Sequence, residues 1–434
     1  MRGTGFALNY VGLVASIYFI PIIAWGMVSF QKRSSKGPLP WSGDTENCFM
    51  YEVTGAILPD TSVTWVDYPG INFDGRLLGW NAFLFFLVWL CILRGTGWTG
   101  RVMYFTMGIV MLIGRGASLP YACDGIKLCF ATWCSEALSG MGTWQDAVEQ
   151  VLYSTGVGSG FYTVKRSYWS SRNAFLEASL AFAAFRIVGF MGITPDPESP
   201  MESYSLGFMT YPQVSVHMPD SNFWSALFAV MGVSSTFVTL DAFMTLIMDS
   251  AIAWSKGWTQ MWVLTVLIFA VFLLLSLPDC TKFGYYYLDG IDPWMNNVGL
   301  VFVVGVECVS ATTIYRNEDV VDQIGLSAYV TYNTGFLCAQ LVCLFVGHTG
   351  NQLCHDFNPV IGDVKNWSLP FFCAHSLRYF SVPILATILS LAYPNFEQLK
   401  HYSLHVIGFI IGHFLLLWCI VGFMMPTGST CSSF

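Results

Sequence analysis

The strongest constraint on this chain is a succession of apolar runs, each close to the length of a bilayer crossing. A helix needs about 20 apolar residues to span the hydrocarbon core. About eleven segments approach or meet that length, near residues 7–30, 78–93, 102–121, 145–164, 174–194, 222–248, 259–278, 294–315, 325–347, 369–393 and 404–425. They are too long for barrel strands and lack strict alternation, so the sequence predicts an all-α, polytopic membrane protein in which residues 1–434 form one transmembrane domain. Composition agrees: the chain is 54% hydrophobic and 11% charged, against about 25% charged in soluble domains. A net charge of −8 excludes a nucleic-acid surface built on excess positive charge. The lipid bilayer is the first partner to expect.

Lys and Arg in short loops set orientation. With a cytoplasmic amino end, Arg94, Arg101, Lys165, Arg166, Arg172, Lys256 and Arg316 all fall inside. The loops at 31–77 and 195–221 then lie outside. The 195–221 loop carries Asp196, Glu198, Glu202 and Asp220 but no Lys or Arg, whereas Lys32, Arg33 and Lys36 open the longer one. Most of the thirteen cysteines sit in apolar runs, where thiols behave as small hydrophobes. Cys123, Cys129 and Cys134 share one loop and pair only if it is extracellular. The seven histidines show no paired motif, which leaves a membrane enzyme without support.

Three stretches carry chemistry. The fourth span reads Gln150-Val-Leu-Tyr153-Ser154-Thr155-Gly156-Val157-Gly158-Ser159-Gly160. Each glycine costs about 1 kcal/mol against alanine in a helix interior. Irregular backbone at membrane depth is tolerated only where protein buries it or a cavity hydrates it. A discontinuous helix at a midplane transport site uses such a segment; close packing through small residues is the plainer reading. The sixth span contains Met231-Gly-Val-Ser234-Ser235-Thr236, then Thr239. These hydroxyls either back-bond to the preceding turn or, being neutral hard oxygens, suit a monovalent cation better than calcium or magnesium. Glu307 sits mid-span, where an acid is a functional hypothesis by default. Asp289 and Asp292 are expected at the outer mouth of the same helix, and Tyr168 and Asp249 near the inner ends of the fourth and sixth spans.

In order along the chain, these positions resemble the neurotransmitter:sodium symporter family of sodium-coupled amino-acid and amine transporters. Ile-Ile-Ala-Trp25 followed by Gly-Pro-Leu-Pro-Trp41 resembles the end of that family's third helix and the start of its long outer loop. Arg101-Val-Met-Tyr-Phe-Thr and Arg115-Gly-Ala-Ser-Leu-Pro resemble the fifth. Trp144-Gln-Asp-Ala-Val-Glu-Gln150 through Gly160 resembles the sixth, and Ser234-Ser235-Thr236-Phe237 the eighth. Leu288-Asp289-Gly-Ile-Asp292-Pro-Trp294, with Glu307 fifteen residues after Asp292, resembles the tenth. The closing stretch, from Asn366-Trp-Ser-Leu-Pro to Tyr393-Pro-Asn-Phe, looks more like fungal members than animal ones.

The resemblance implies a broken-helix, inverted-repeat transporter core. By it, the Met231 carbonyl, Ser234 and Ser235 fall at one sodium site and Ser154 at the other. Gln150 and Ser154 fall where animal members hold chloride. Tyr18, Phe19, Tyr153, Gly156, Val157, Gly158, Ser159, Thr236 and Thr239 fall around the substrate, a small amino acid or amine. Asp292 matches the outer gate, and Tyr168 and Asp249 the inner gate.

Departures from the family pattern are equally specific. Residue 3 already matches the start of the third helix, so the first two are expected to be absent. Those helices complete both sodium sites and supply the arginine that Asp292 should meet. Tyr18-Phe19 stands where the family has Tyr-Tyr. Phe185 and Arg186 occupy the neighbourhood of the seventh helix's ion-binding asparagine. Only Cys48 is present where the outer loop often has two cysteines. The expected function is therefore sodium-coupled symport by alternating access, in a chain expected to be incomplete. The alternatives are a non-transporting membrane sensor or scaffold, or an inactive truncated product.

Overall fold

Helices long and apolar enough to cross a membrane dominate a computed structural model of the chain. The structure describes residues 2–32, 39–56, 70–93, 135–158, 208–209, 211–217, 220–227, 261–315, 368–395 and 405–424, with a few isolated positions between them. Among these no strand forms, and one isolated bridge joins Phe73 to Thr281. The main helices are α1 (Arg2–Lys32), α2 (Gly75–Leu93), α3 (Met141–Thr155), α4 (Met261–Leu275), α5 (Gly284–Ile314), α6 (Phe371–Ser376, a π turn Leu377–Ser381, and Val382–Asn395) and α7 (His405–Met424). Each matches an apolar run in the sequence.

Two boundaries differ from the sequence reading. The 145–164 run is not one helix, because α3 stops at Thr155. The 294–315 run begins ten residues earlier, at Gly284, so Asp289 and Asp292 lie within α5 rather than at its mouth. Two acids and Gly290 in three turns lower the apolar signal there without lowering helicity, since tertiary packing overrides a local deficit. Pro293 then withholds an N–H, and the following turn, Trp294–Leu300, widens to π geometry.

Burial follows a membrane pattern. One core gathers Tyr18, Ile20, Trp25 and Val28 of α1 with Leu84 and Val88 of α2, Phe269 and Phe272 of α4, and Leu288 of α5. A second joins Ala7, Leu8 and Val11 at the other end of α1 to Val301, Val303 and Val304 of α5, Leu385 and Ile388 of α6, and Leu415 of α7. The outward faces are as apolar as the cores: Leu267 and Leu274 on α4 and Val406, Ile410, Leu417 and Ile420 on α7 are all exposed. Continuous apolar exposure on this scale would drive association in water; in lipid it is the solvated surface.

The described parts of the 31–77 loop fold over one end of this bundle. The Trp25 ring packs edge-on to Phe49 and Phe208, and Phe49 stacks on Phe208 with centroids 5.2 Å apart. Lys32 pairs with Glu52, and the Arg76 guanidinium donates to the Glu52 carbonyl at 3.1 Å. Lys282 N–H donates to Asn72 O at 3.0 Å and Asp74 N–H to Cys280 O at 3.2 Å, tying the loop to the entry of α5. The Trp41 indole N–H donates to Pro212 O at 3.0 Å, so the two loops expected to lie outside touch each other. Cys48 is a buried free thiol. Cys123, Cys129 and Cys134 lie outside the described residues.

Helix α7 lies against α5 at a seam of small residues. A methyl group at Gly408 would run into the Gly290 backbone and come within 2.6 Å of Trp294 Cδ1, whereas one at Gly305 would meet nothing within 4 Å. Gly408→Ala is therefore expected to lower the thermal unfolding midpoint in detergent, since overpacking costs about 1–3 kcal/mol and outweighs the helical gain. Gly305→Ala should leave the midpoint unchanged or raise it slightly.

A second prediction concerns Asp279, in the turn between α4 and α5. Its carboxyl is 1% exposed and neither oxygen finds a hydrogen-bond donor. Burial holds its pKa well above the ordinary carboxylate range. The folded state thus keeps a proton that the unfolded chain releases near pH 4, and stability falls as pH rises towards the folded-state value. The thermal midpoint should decline with pH over that window, and Asp279→Asn should flatten the decline.

Candidate functional site

The break in α3 sets the site. Fifteen residues of regular helix end where Gly156 turns left-handed at φ +69°, its N–H donating to Tyr153 O at 3.1 Å. Gly158 follows at φ +83°. A left-handed conformation costs an L side chain roughly 1–2 kcal/mol, so the helix can stop here because glycine stands at both positions. Packing fixes the same residue independently: a Cβ on Gly158 would lie 2.6 Å from Val304 Cγ2 and 3.0 Å from Leu300 Cδ1. Close packing through a small residue thus holds at Gly158, and regular helix ends at this turn. The turn is sheltered against α5, as unpaired backbone at membrane depth requires. Thr155 shields the helix end further, its hydroxyl donating to Val151 O at 2.6 Å.

Three of the expected site residues converge just before the break. The Tyr18 side chain, buried in the middle of α1, faces Asp292 of α5 and Tyr153 of α3. One helix from each part of the bundle therefore contributes a polar group to one locus. Phe19 is half-buried at the next position of α1, and Val157 is half-buried in the turn itself. Gln150 lies on an exposed face of α3, and Ser154 lies in that helix's last turn. Glu307 is half-buried on α5, with no ion pair among the described residues. Ser159, Met231, Ser234, Ser235, Thr236, Thr239, Tyr168 and Asp249 lie outside the described residues.

A further acid belongs to this locus and escaped the sequence reading. Glu149, 9% exposed, accepts from Gln145 Nε2 at 2.8 Å on one oxygen. Asn297, in the π turn of α5, donates to its other oxygen at 2.6 Å and to Pro293 O at 3.1 Å when its amide nitrogen faces inward. The signal was present in the sequence as a glutamate and glutamine four apart inside an apolar run, a spacing that shares one helix face.

Helices long and apolar enough to cross a membrane, one of them ending at glycines beside the buried Tyr18, define a multi-pass α-helical membrane protein. The model of the sodium:neurotransmitter symporter family matches residues 72–346, more than half of the chain, and the chain belongs to that family. Among curated relatives, the human sodium- and chloride-dependent GABA transporter 2 is 27% identical over 372 residues, covering 74% of this chain and 61% of its own length. The rat sodium- and chloride-dependent taurine transporter is 27% identical over 388 residues, 77% of this chain and 61% of its own. The sodium-dependent serotonin transporter of Drosophila melanogaster is 26% identical over 361 residues, 73% and 57%. The chain thus spans about three-fifths of the length of these relatives. Family and relatives alike are transporters, which sets the membrane-enzyme alternative aside.

The two glycines of the break should respond unequally to substitution. Gly156→Ala bears only the left-handed penalty, about 1–2 kcal/mol. Gly158→Ala adds the collision with Val304 and Leu300, about 1–3 kcal/mol more. Thermal unfolding in detergent should rank wild type above Gly156→Ala, and Gly156→Ala above Gly158→Ala.

Proposed function

We propose that this protein is a secondary active transporter of the plasma membrane, coupling inward sodium flow to uptake of a small amino acid or amine by alternating access. The observation that carries the reading is the glycine break of α3 set against the Tyr18–Asp292–Tyr153 locus. An interrupted helix presents free backbone groups at mid-depth, where a site can face either side of the membrane in turn. The printed names of the relatives, with sodium in each and chloride in those for GABA and taurine, support the same coupling ions.

In this reading the Met231 carbonyl, Ser234 and Ser235 hold one sodium ion and Ser154 contributes to a second. Gln150 and Ser154 are the candidate chloride ligands. The substrate lies between Tyr18, Phe19 and Tyr153, against the backbone of Gly156, Val157, Gly158 and Ser159, with Thr236 and Thr239 as the opposite wall. Asp292 closes the outer side through Tyr18, while Tyr168 and Asp249 close the inner side. Sodium binding favours the outward-open arrangement, and gate closure over the occupied pocket follows. The contact between the loops at 31–77 and 195–221, through Trp41 and Pro212, supports a common outer face for both.

Uptake into proteoliposomes tests this directly. With tritiated GABA, taurine and a mixture of common amino acids, an inward sodium gradient should drive uptake of at least one probe several-fold above a choline control. Loss of one neutral oxygen ligand costs about 1 kcal/mol, so Ser234→Ala or Ser154→Ala should raise half-saturating sodium about three- to tenfold. Probe binding that is indifferent to replacing sodium with choline would overturn the symporter reading in favour of a non-transporting sensor.

A further inference from the structure

The Glu149 carboxylate is held in a manner that the substrate and ion sites do not require. It is almost fully buried, yet among the described residues no Lys, Arg or His forms an ion pair with it. Two amide nitrogens meet its two oxygens instead, Gln145 from one turn earlier on α3 and Asn297 from α5. A buried charge without such donors is expensive, and a carboxylate that accepts on both oxygens is satisfied as an anion.

Its position gives the clasp a mechanical meaning. Glu149 stands one helical turn before Tyr153, so the two share a face of α3. Asn297 stands one wide turn after Asp292, inside the π segment that begins beyond Pro293. The same amide that holds Glu149 also caps the Pro293 carbonyl, so the clasp depends on the irregular turn and reinforces it. A π turn marks a place where a helix departs from its regular register, frequently at functional sites.

We propose that Glu149 is a positioning residue, yoking the first half of the broken helix to the gate helix so that Tyr153 and Asp292 move as one body. This rests on the transporter reading for its consequence, a coupled gate, but not for its existence. Aspartate at 149 is one methylene too short to reach both donors, and glutamine offers only one acceptor. Asparagine-to-aspartate at 297 would set two carboxylates face to face. The paired change Glu149→Gln with Asn297→Asp restores a chain of donors, from Gln145 to the amide oxygen at 149 and from the amide nitrogen at 149 to the carboxylate at 297.

The test uses the full chain with Glu149→Gln, Asn297→Asp and the pair, read by thermal midpoint in detergent and by sodium-driven uptake of whichever tritiated probe the wild type accumulates. The yoke predicts that Asn297→Asp lowers maximal uptake about tenfold or more while half-saturating substrate stays within about twofold, the signature of lost coupling rather than lost binding. The pair should recover maximal uptake to within about threefold of wild type, and its midpoint should exceed that of Asn297→Asp alone, a non-additivity expected only of residues in contact. Additive midpoints, or a pair no more active than Asn297→Asp, would overturn the yoke. If the wild type accumulates no probe on a sodium gradient, the transporter reading fails by itself, and additive or non-additive midpoints still decide for or against the clasp.

Discussion

Every part of this protein depends on one constraint, that backbone N–H and C=O groups have no water to bond at membrane depth. Regular helix meets it everywhere except where the chain has another way to satisfy or bury the freed groups. The irregularities of the described bundle include the end of α3 at Gly156–Gly158, the π turns of α5 after Pro293 and at Ser310–Ile314, and the π turn of α6 at Leu377–Ser381. Two of them face each other. The glycine turn of α3 lies against Leu300 and Val304 of α5, while Asn297, with its amide nitrogen facing inward, donates to the Pro293 carbonyl. The break in one helix and the bulge in the other are complementary, and neither is a defect that the other merely tolerates. The polar locus sits at this junction because only there can side chains meet backbone that is not already committed to a helix.

The end of the bundle covered by residues 39–56 and 70–74 obeys a different rule. There the chain leaves hydrocarbon, and its charges pair in the ordinary way: Lys32 with Glu52, and Arg76 with Asp74. These pairs are partly exposed and contribute little individually. The firmer ties are the aromatic cluster around Trp25 and the backbone bonds from residues 72 and 74 to the entry of α5. The loop therefore anchors to the start of α5, which fixes one end of that helix while its middle remains engaged with α3.

Helices such as α1, α2, α4 and α7 were legible because each is an apolar run free of Asp and Glu, and a membrane leaves no competing structure for such a run. The site was legible in part. Gly156 and Gly158 announced a break, and Tyr18, Tyr153 and Asp292 were found by resemblance and do meet. What composition could not give was depth and facing. Asp289 and Asp292 looked like loop residues because acids depress hydropathy, although the helix begins at Gly284, before them. Glu149 was passed over while Glu307 was noticed, because Glu149 stands among Gln145, Asp146 and Gln150 in a less apolar stretch. Its burial comes from Asn297, 148 residues away in sequence, and no local window contains that partner.

These placements share an electrostatic consequence. Asp292 faces the Tyr18 side chain, two amides meet Glu149, and Glu307 lies further along α5 with no cation paired to it among the described residues. Neutral donors satisfy geometry and leave the net charge in place, whereas an ion pair would cancel it. In a low-dielectric surround a charge is felt over a longer distance than in water, so any of these carboxyls that ionises acts along the whole seam of α1, α3 and α5. Carboxyls met by amides along this seam offer a cation a counter-charge without a fixed competitor at Glu149 among the described residues, which supports the sodium-coupled reading proposed above.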